Sequence, residues 1–233
     1  MKRIGIIGGL GPESTIYYYR TLIDLSLEKQ GARNKSEVEV LIYNLNHAEC
    51  ADILVNCRWP DLANIIVDAA ERLYRAGADF AIIACNTAHL VFDDVAVKSP
   101  IPLISIVEET CEAVAKLGLV KVGLLGSIMT MESQLYQNVF NKKNIAIVVP
   151  NKEERVYIQN KIRWELAVGI MQDEARKGFL EIAQRMVEKE SIQGLILGCT
   201  EIPLLLTKEE FGIPFFNTSK IHAESAFRKS YLS

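Results

Sequence analysis

The chain has 233 residues, of which 49% are apolar and 24% charged, with a formal net charge of −3. This composition matches folded domains rather than disordered chain, and the length suits one large domain or two small ones. The missing basic excess argues against a nucleic-acid partner, and the apolar runs are too short to span a bilayer, so no membrane partner is expected.

Met1-Lys2-Arg3 leads straight into the strand-like Ile4-Gly5-Ile6-Ile7. No small-residue cleavage site follows a long apolar core, so a cytoplasmic setting is expected. The five cysteines are odd in number and include no Cys-x-x-Cys pair. Disulfides are therefore not the organising device. Cys50, Cys57, Cys111 and the three histidines are scattered, and no metal site is expected.

Taken in chain order, β-branched runs alternate with amphipathic stretches. The runs are Arg3 to Gly8, Val38 to Tyr43, Asp79 to Cys85, Lys121 to Gly126, Ile145 to Val149 and Gly194 to Cys199. Continuous apolar runs of this length suit strands buried on both faces of a parallel sheet. Between them lie helical patterns such as Pro60 to Ala76, apolar at Leu62, Ile65, Ile66, Ala69, Ala70 and Leu73. The pattern predicts an α/β fold.

The chain also repeats itself. Gly5-Ile-Ile-Gly-Gly-Leu-Gly-Pro-Glu-Ser14 corresponds to Gly123-Leu-Leu-Gly-Ser-Ile-Met-Thr-Met-Glu-Ser133. Asp79-Phe-Ala-Ile-Ile-Ala-Cys-Asn-Thr87 corresponds to Gln193-Gly-Leu-Ile-Leu-Gly-Cys-Thr200, and Ile101-Pro-Leu-Ile-Ser105 to Ile213-Pro-Phe-Phe-Asn217. Cys85 lies 80 residues after Gly5, and Cys199 lies 76 after Gly123. Two pseudo-symmetric subdomains follow, one from 1–103 plus 213–233 and one from 104–212, each a mostly parallel sheet flanked by helices, with the active site expected between them.

Each half places a cysteine at the end of a strand, where ligands bind in open α/β sheets. Asn86 and Thr87 follow Cys85, and Thr200 and Glu201 follow Cys199. These are helix-start residues whose hydroxyl, amide and main-chain N–H groups can hold a carboxylate, and helix starts also favour a thiolate. Two thiols suit one chemistry in particular. Inverting a stereocentre removes a proton from one face and delivers one to the other, and two groups of similar acidity can exchange those roles. Two small buried hydrophobes are the plainer reading.

Gly8-Gly9-Leu10-Gly11-Pro12 fails both nucleotide fingerprints: Ser14 stands at the third glycine position, and no Gly-Lys-Ser/Thr follows. A tight turn passing close to a small ligand is expected, with Ser127 and Thr130 supplying hydroxyls at the matching turn. His89, four residues beyond Cys85, reads either as a helper base or as a capping histidine. His222 reads as structural, Tyr17 to Tyr19 as helix packing, and Glu201 as a carboxylate favoured by the helix start or as a partner for an amine.

On these motifs the chain resembles the aspartate/glutamate racemase family, in its aspartate-racemase branch. The likeness runs along essentially the whole length through Ile7 to Thr15, Cys85-Asn86-Thr87-Ala88-His89, Gly198 to Pro203 and Ile221 to Glu224. It implies a two-domain α/β isomerase, a homodimer, that needs neither pyridoxal phosphate nor metal. It implies Cys85 and Cys199 as the catalytic pair, and an amino-acid substrate gripped by Leu10, Asn86, Thr87, Ala88, Ser127, Thr130, Thr200 and Glu201. Aspartate racemases of this type often carry an Arg after the second strand and a Lys in the second half. Here those stretches read His47-Ala-Glu-Cys-Ala-Asp52 and Trp164-Glu-Leu-Ala-Val-Gly169, with Arg58 and Arg163 as the nearest cations, and Asn217 replaces a common Asp. Substrates with non-acidic side chains therefore stay open, as do a non-catalytic sensor and an isomerase or decarboxylase acting on a dicarboxylate.

Overall fold

The computed structural model describes residues 1–30, 37–206 and 209–232. All six expected runs form strands, and the two Ile-Pro segments add one each. The first half holds β1 (Ile4–Gly8), α1 (Pro12–Gln30), β2 (Val40–Asn44), α2 (His47–Val55), α3 (Trp59–Arg75), β3 (Phe80–Ile83), α4 (Phe92–Lys98), β4 (Leu103–Ile104) and α5 (Ile106–Lys116). In the second half lie β5 (Lys121–Gly126), α6 (Ile128–Glu132), α7 (Leu135–Phe140), β6 (Ala146–Val148), α8 (Lys152–Trp164) and α9 (Asp173–Glu190). It continues with β7 (Leu195–Gly198), α10 (Ile202–Leu205), β8 (Phe215–Asn217) and α11 (Thr218–Ser230).

The strands form two sheets, ordered β2-β1-β3-β4 and β6-β5-β7-β8. Every pairing is parallel. The register repeats too: Gly5 lies between Leu41 and Ala81, and Gly123 between Val148 and Leu195. The inner strands β1, β3 and β7 are buried throughout, whereas the edge strands β2 and β6 are part-exposed. That is why the inner strands read as unbroken apolar runs. Helix α3 covers the first sheet with Leu62, Ala63, Ile66, Ala69, Ala70 and Leu73, all buried at helical spacing. Each fully buried Leu or Ile there contributes about 1.5–3 kcal/mol.

The chain divides into two compact units, Met1–Glu109 with Ser219–Ser233, and Thr110–Thr218. Both crossings fall later than the expected 103/104 and 212/213. The sheets explain the difference: β8 pairs with β7 and so belongs to the second unit, while β4 pairs with β3 in the first. The crossings lie within α5 and at the start of α11.

Candidate active site

In each sheet the chain runs outward from the first strand to one neighbour, then returns to pair on the other side. The reversal leaves a switch point between β1 and β3, and another between β5 and β7. Such points form crevices outside the carboxyl ends of strands. The Gly8 turn and Cys85 thus share one switch point, and the Gly126–Ser127 turn and Cys199 share the other. Both cysteines are half-buried, and neither is in a disulfide.

At the first, the Ala84 N–H donates to the Ile7 carbonyl at 3.0 Å, and the Cys85 N–H turns back to the Ile83 carbonyl at 2.8 Å. Cys85 therefore lies two residues beyond β3. The glycine turn is fixed by the chain's own main chain. Gly9 has φ +83°, and a Cβ there would stand 2.2 Å from the Leu45 carbonyl oxygen. Its N–H donates to Thr15 Oγ1 at 2.9 Å, while the Leu45 N–H donates to the Gly8 carbonyl at 3.0 Å. The tight turn appears as expected; the partner of its close approach is Leu45. Leu10, next in the turn, is buried.

The helper-base reading of His89 gives way here. Its Nε2 accepts the Ile106 N–H at 3.1 Å, so the ring caps the start of α5. The proton must then sit on Nδ1, which donates to the Cys85 carbonyl at 2.8 Å. Burial lowers its pKa from an ordinary 6.5 to about 4. Both ring nitrogens are occupied, the ring is neutral, and its contact with Cys85 is through the backbone. His222 is structural, as expected, in a parallel way. Nε2–H donates to the Ile104 carbonyl at 2.9 Å, and Nδ1 accepts the Tyr18 hydroxyl at 2.9 Å. Burial, with His89 beside it, lowers its pKa to about 3. Of the three tyrosines only Tyr18 is fully buried, and Tyr19 is exposed.

At the second switch point Gly126 and Gly198 are paired in register. A Cβ on Gly198 would lie 3.0 Å from the Leu125 carbonyl oxygen, so the two strand ends approach as only glycines allow. Ser127 caps α6: its Oγ accepts the Thr130 N–H at 3.2 Å and lies 3.0 Å from Thr130 Oγ1. Thr130 is fully buried, and its hydroxyl serves that cap. Glu201 is 8% exposed. Its Oε2 accepts the Cys199 thiol at 2.8 Å and the Thr200 hydroxyl at 2.9 Å.

The segments directly after the cysteines are short. Thr87–Val91 is a single 3₁₀ stretch and α10 has four residues. Neither can build much of a macrodipole. Asn86, Thr87 and Thr200 are buried polar groups at these positions, and Ala88 is fully enclosed. The two nearest cations are engaged elsewhere. Arg58 forms ion pairs with Asp52 and, at 2.8 Å, with Asp61. Arg163 lies 4.7 Å over the Trp164 ring. Among the described residues no group of three or more His, Cys, Asp or Glu side chains is placed to hold a metal ion, and no helix is long and apolar enough to cross a membrane. The features sequence reading missed are the Tyr18–His222 pair, 204 positions apart, and the Cys199–Glu201 contact. The first carries no local signal; the second is only a two-residue spacing until the rotamers are known.

The sequence model of the Asp/Glu/Hydantoin racemase family matches residues 7–226. The chain is 27% identical to the broad specificity amino-acid racemase RacX of Bacillus subtilis (strain 168), with 95% of each chain covered. Among solved structures it is similar to an aspartate racemase homologue from Pyrococcus horikoshii OT3, with TM-score 0.87, 36% identity and full coverage of both chains. The Picrophilus torridus aspartate racemase shares the fold, with TM-score 0.78 at 23% identity, covering 99% of this chain and 94% of that one. With two parallel sheets of like strand order, the chain belongs to the Asp/Glu/Hydantoin racemase family and is an isomerase of that kind.

Proposed function

We propose that this chain interconverts the enantiomers of a small α-amino acid, with Cys85 and Cys199 as the two proton-transferring groups. The observation that carries the reading is one arrangement made twice. Each sheet ends, at its switch point, in a half-buried cysteine outside any disulfide, followed by buried amide or hydroxyl side chains.

In the proposed step one cysteine, as thiolate, takes the α-hydrogen as a proton. An S–H bond forms as the C–H bond breaks, and the electron pair passes into the substrate carboxylate. The other cysteine, as thiol, delivers its proton to the opposite face, and the reverse reaction exchanges the roles. Thiols fit this task because their ordinary pKa, about 8.5, lies near the working pH. Asn86, Thr87 and Thr200, with the chain at Leu10, Ala88 and Ser127, hold the carboxylate and ammonium, and Thr130 braces Ser127. The reading includes a cytoplasmic setting, where free thiols persist, and a homodimer. Incubation with single amino acids in deuterium oxide tests it. Deuterium should enter at the α-carbon as optical rotation decays to zero. Failure of every amino acid tried, with folded protein and reduced thiols, overturns it.

A second reading concerns the side chain accepted. Aspartate is the leading candidate on the resemblance. The engagement of Arg58 by Asp52 and Asp61 favours a wider range of non-acidic substrates, in line with the specificity named for the Bacillus subtilis relative. Comparing kcat/KM for aspartate with that for neutral amino acids separates the two.

A further inference from the structure

The two cysteines occupy corresponding positions, but their surroundings differ by one side chain. After Cys85 come Asn86 and Thr87; after Cys199 come Thr200 and Glu201. Glu201 is thus the counterpart of Thr87, and it places a carboxylate oxygen 2.8 Å from Cys199 Sγ.

Two properties of Glu201 make the contact informative. The residue is 92% buried, since it is 8% exposed, and it forms no ion pair among the described residues. Its Oε2 is met by the Cys199 sulfur and the Thr200 hydroxyl. Buried carboxylates normally face a cation or several donors. A thiolate at this distance from a carboxylate would be a like-charge pair in a poorly solvated place, which is strongly unfavourable, whereas a thiol can donate to it.

Among the described residues, the neighbouring elements present mainly hydroxyl, amide and apolar side chains to this strand end. The Gly126–Ser127 turn and Thr130 supply hydroxyls, β8 ends in the Asn217 amide and Thr218, and α10 is apolar. Glu132, at the far end of α6, is ion-paired with Arg155. Tyr136 hydrogen-bonds to Thr110 and Thr218, and burial pushes its phenol pKa up, so it stays neutral.

We propose that Glu201 is a positioning residue that accepts a hydrogen bond from the Cys199 thiol, so that Cys199 rests as the acid of the pair and Cys85 as the base. The inference rests on the two-cysteine reading and deepens it: the unliganded protein is set for the enantiomer whose α-hydrogen faces Cys85. When that proton passes to Cys85 sulfur, Cys199 gives up its own to the opposite face of the α-carbon. Cys199 is left as thiolate beside the carboxylate. That repulsion favours prompt reprotonation, from solvent or by the reverse reaction.

The pH dependence of alkylation of each cysteine, read peptide by peptide by mass spectrometry, tests this without reference to turnover. In the wild-type protein Cys199 should react more slowly than Cys85 at neutral pH, and its reactivity should rise at higher pH. Glu201→Gln keeps the shape and removes the charge. It should move the Cys199 profile about one pH unit downward, on the order of a tenfold faster reaction at neutral pH, with Cys85 unchanged. Glu201→Asp should restore part of the wild-type lag. An unshifted Cys199 profile in folded Glu201→Gln overturns the proposal. So does a wild-type Cys199 that reacts as fast as Cys85, a result that holds even if the variants do not fold. A protein that shows the lag yet racemises nothing would refute the two-cysteine reading and leave the role of the Glu201 contact standing.

Discussion

His89 stands behind Cys85 as a brace: Nδ1–H holds the Cys85 carbonyl at 2.8 Å while Nε2 receives the Ile106 N–H at 3.1 Å. The ring fixes the turn that carries the cysteine to the first turn of α5. His89→Asn can mimic the Nδ1 donor but gives up the bond from the Ile106 N–H to Nε2, a loss of about 0.5–1.5 kcal/mol. His89→Leu removes both bonds. Urea melts should rank wild type above Asn above Leu. Turnover should follow the same order, because the sulfur is positioned through its own backbone.

The two buried histidines give stability a defined pH dependence. Their folded pKa values, about 4 and about 3, lie below the ordinary 6.5. The unfolded chain therefore binds more protons than the folded one across that interval, and stability falls as pH is lowered there. The stabilisation is fully present above about pH 6.5 and is lost as pH drops toward 4 and then 3, at up to about 1.4 kcal/mol per pH unit for each ring. Urea midpoints measured between about pH 7 and pH 5 should show this slope. His222→Asn should be less stable at neutral pH and should have a slope smaller by up to that single-ring amount. An unchanged slope contradicts the assignment of His222 as a neutral buried ring.

Gly9→Ala meets two obstacles. The residue needs φ +83°, and its new methyl would lie 2.2 Å from the Leu45 carbonyl oxygen. Backbone strain of this kind costs on the order of 1–3 kcal/mol before the clash is relieved. The variant should unfold at lower urea by at least that amount. If it folds, it should lose activity more than Gly118→Ala, whose added methyl meets no atom within 4 Å.

Arg58 tests the substrate question from the protein side. Its guanidinium is about half exposed and held by two aspartates, and ion pairs of that kind are worth roughly 0–1 kcal/mol. Arg58→Ala should change stability by no more than this and leave KM for every accepted amino acid unchanged. A tenfold rise in KM confined to acidic substrates would make Arg58 the side-chain anchor.

The fold was readable because its signals are local. The apolar runs of β1, β3, β5 and β7 are buried on both faces, and the repeated spacing of Gly5 to Cys85 and Gly123 to Cys199 announced two like sheets. Boundaries were less legible. Whether 213–217 belongs with the first or second half depends on which strand β8 pairs with, and only the register of Leu195 to Leu197 against Phe215 to Asn217 decides that. Among the site residues, the cysteines and their polar followers stood out by repetition. The role of His89 did not, because a ring four residues beyond Cys85 looks alike whether it points at the sulfur or the carbonyl. Glu201 was legible as a carboxylate near a helix start, but its partner was not, since the choice between an amine and the neighbouring thiol is made by side-chain rotamers.

The central claim is that two cysteines serve two faces of one α-carbon, and α-hydrogen exchange in deuterium oxide by single-cysteine variants tests it most directly. Cys85→Ala and Cys199→Ala should each lose racemisation by several orders of magnitude. Any residual exchange should occur with retention of configuration, from one enantiomer in the first variant and from the opposite enantiomer in the second. Normal racemisation by either variant, or exchange of the same enantiomer by both, would contradict the account.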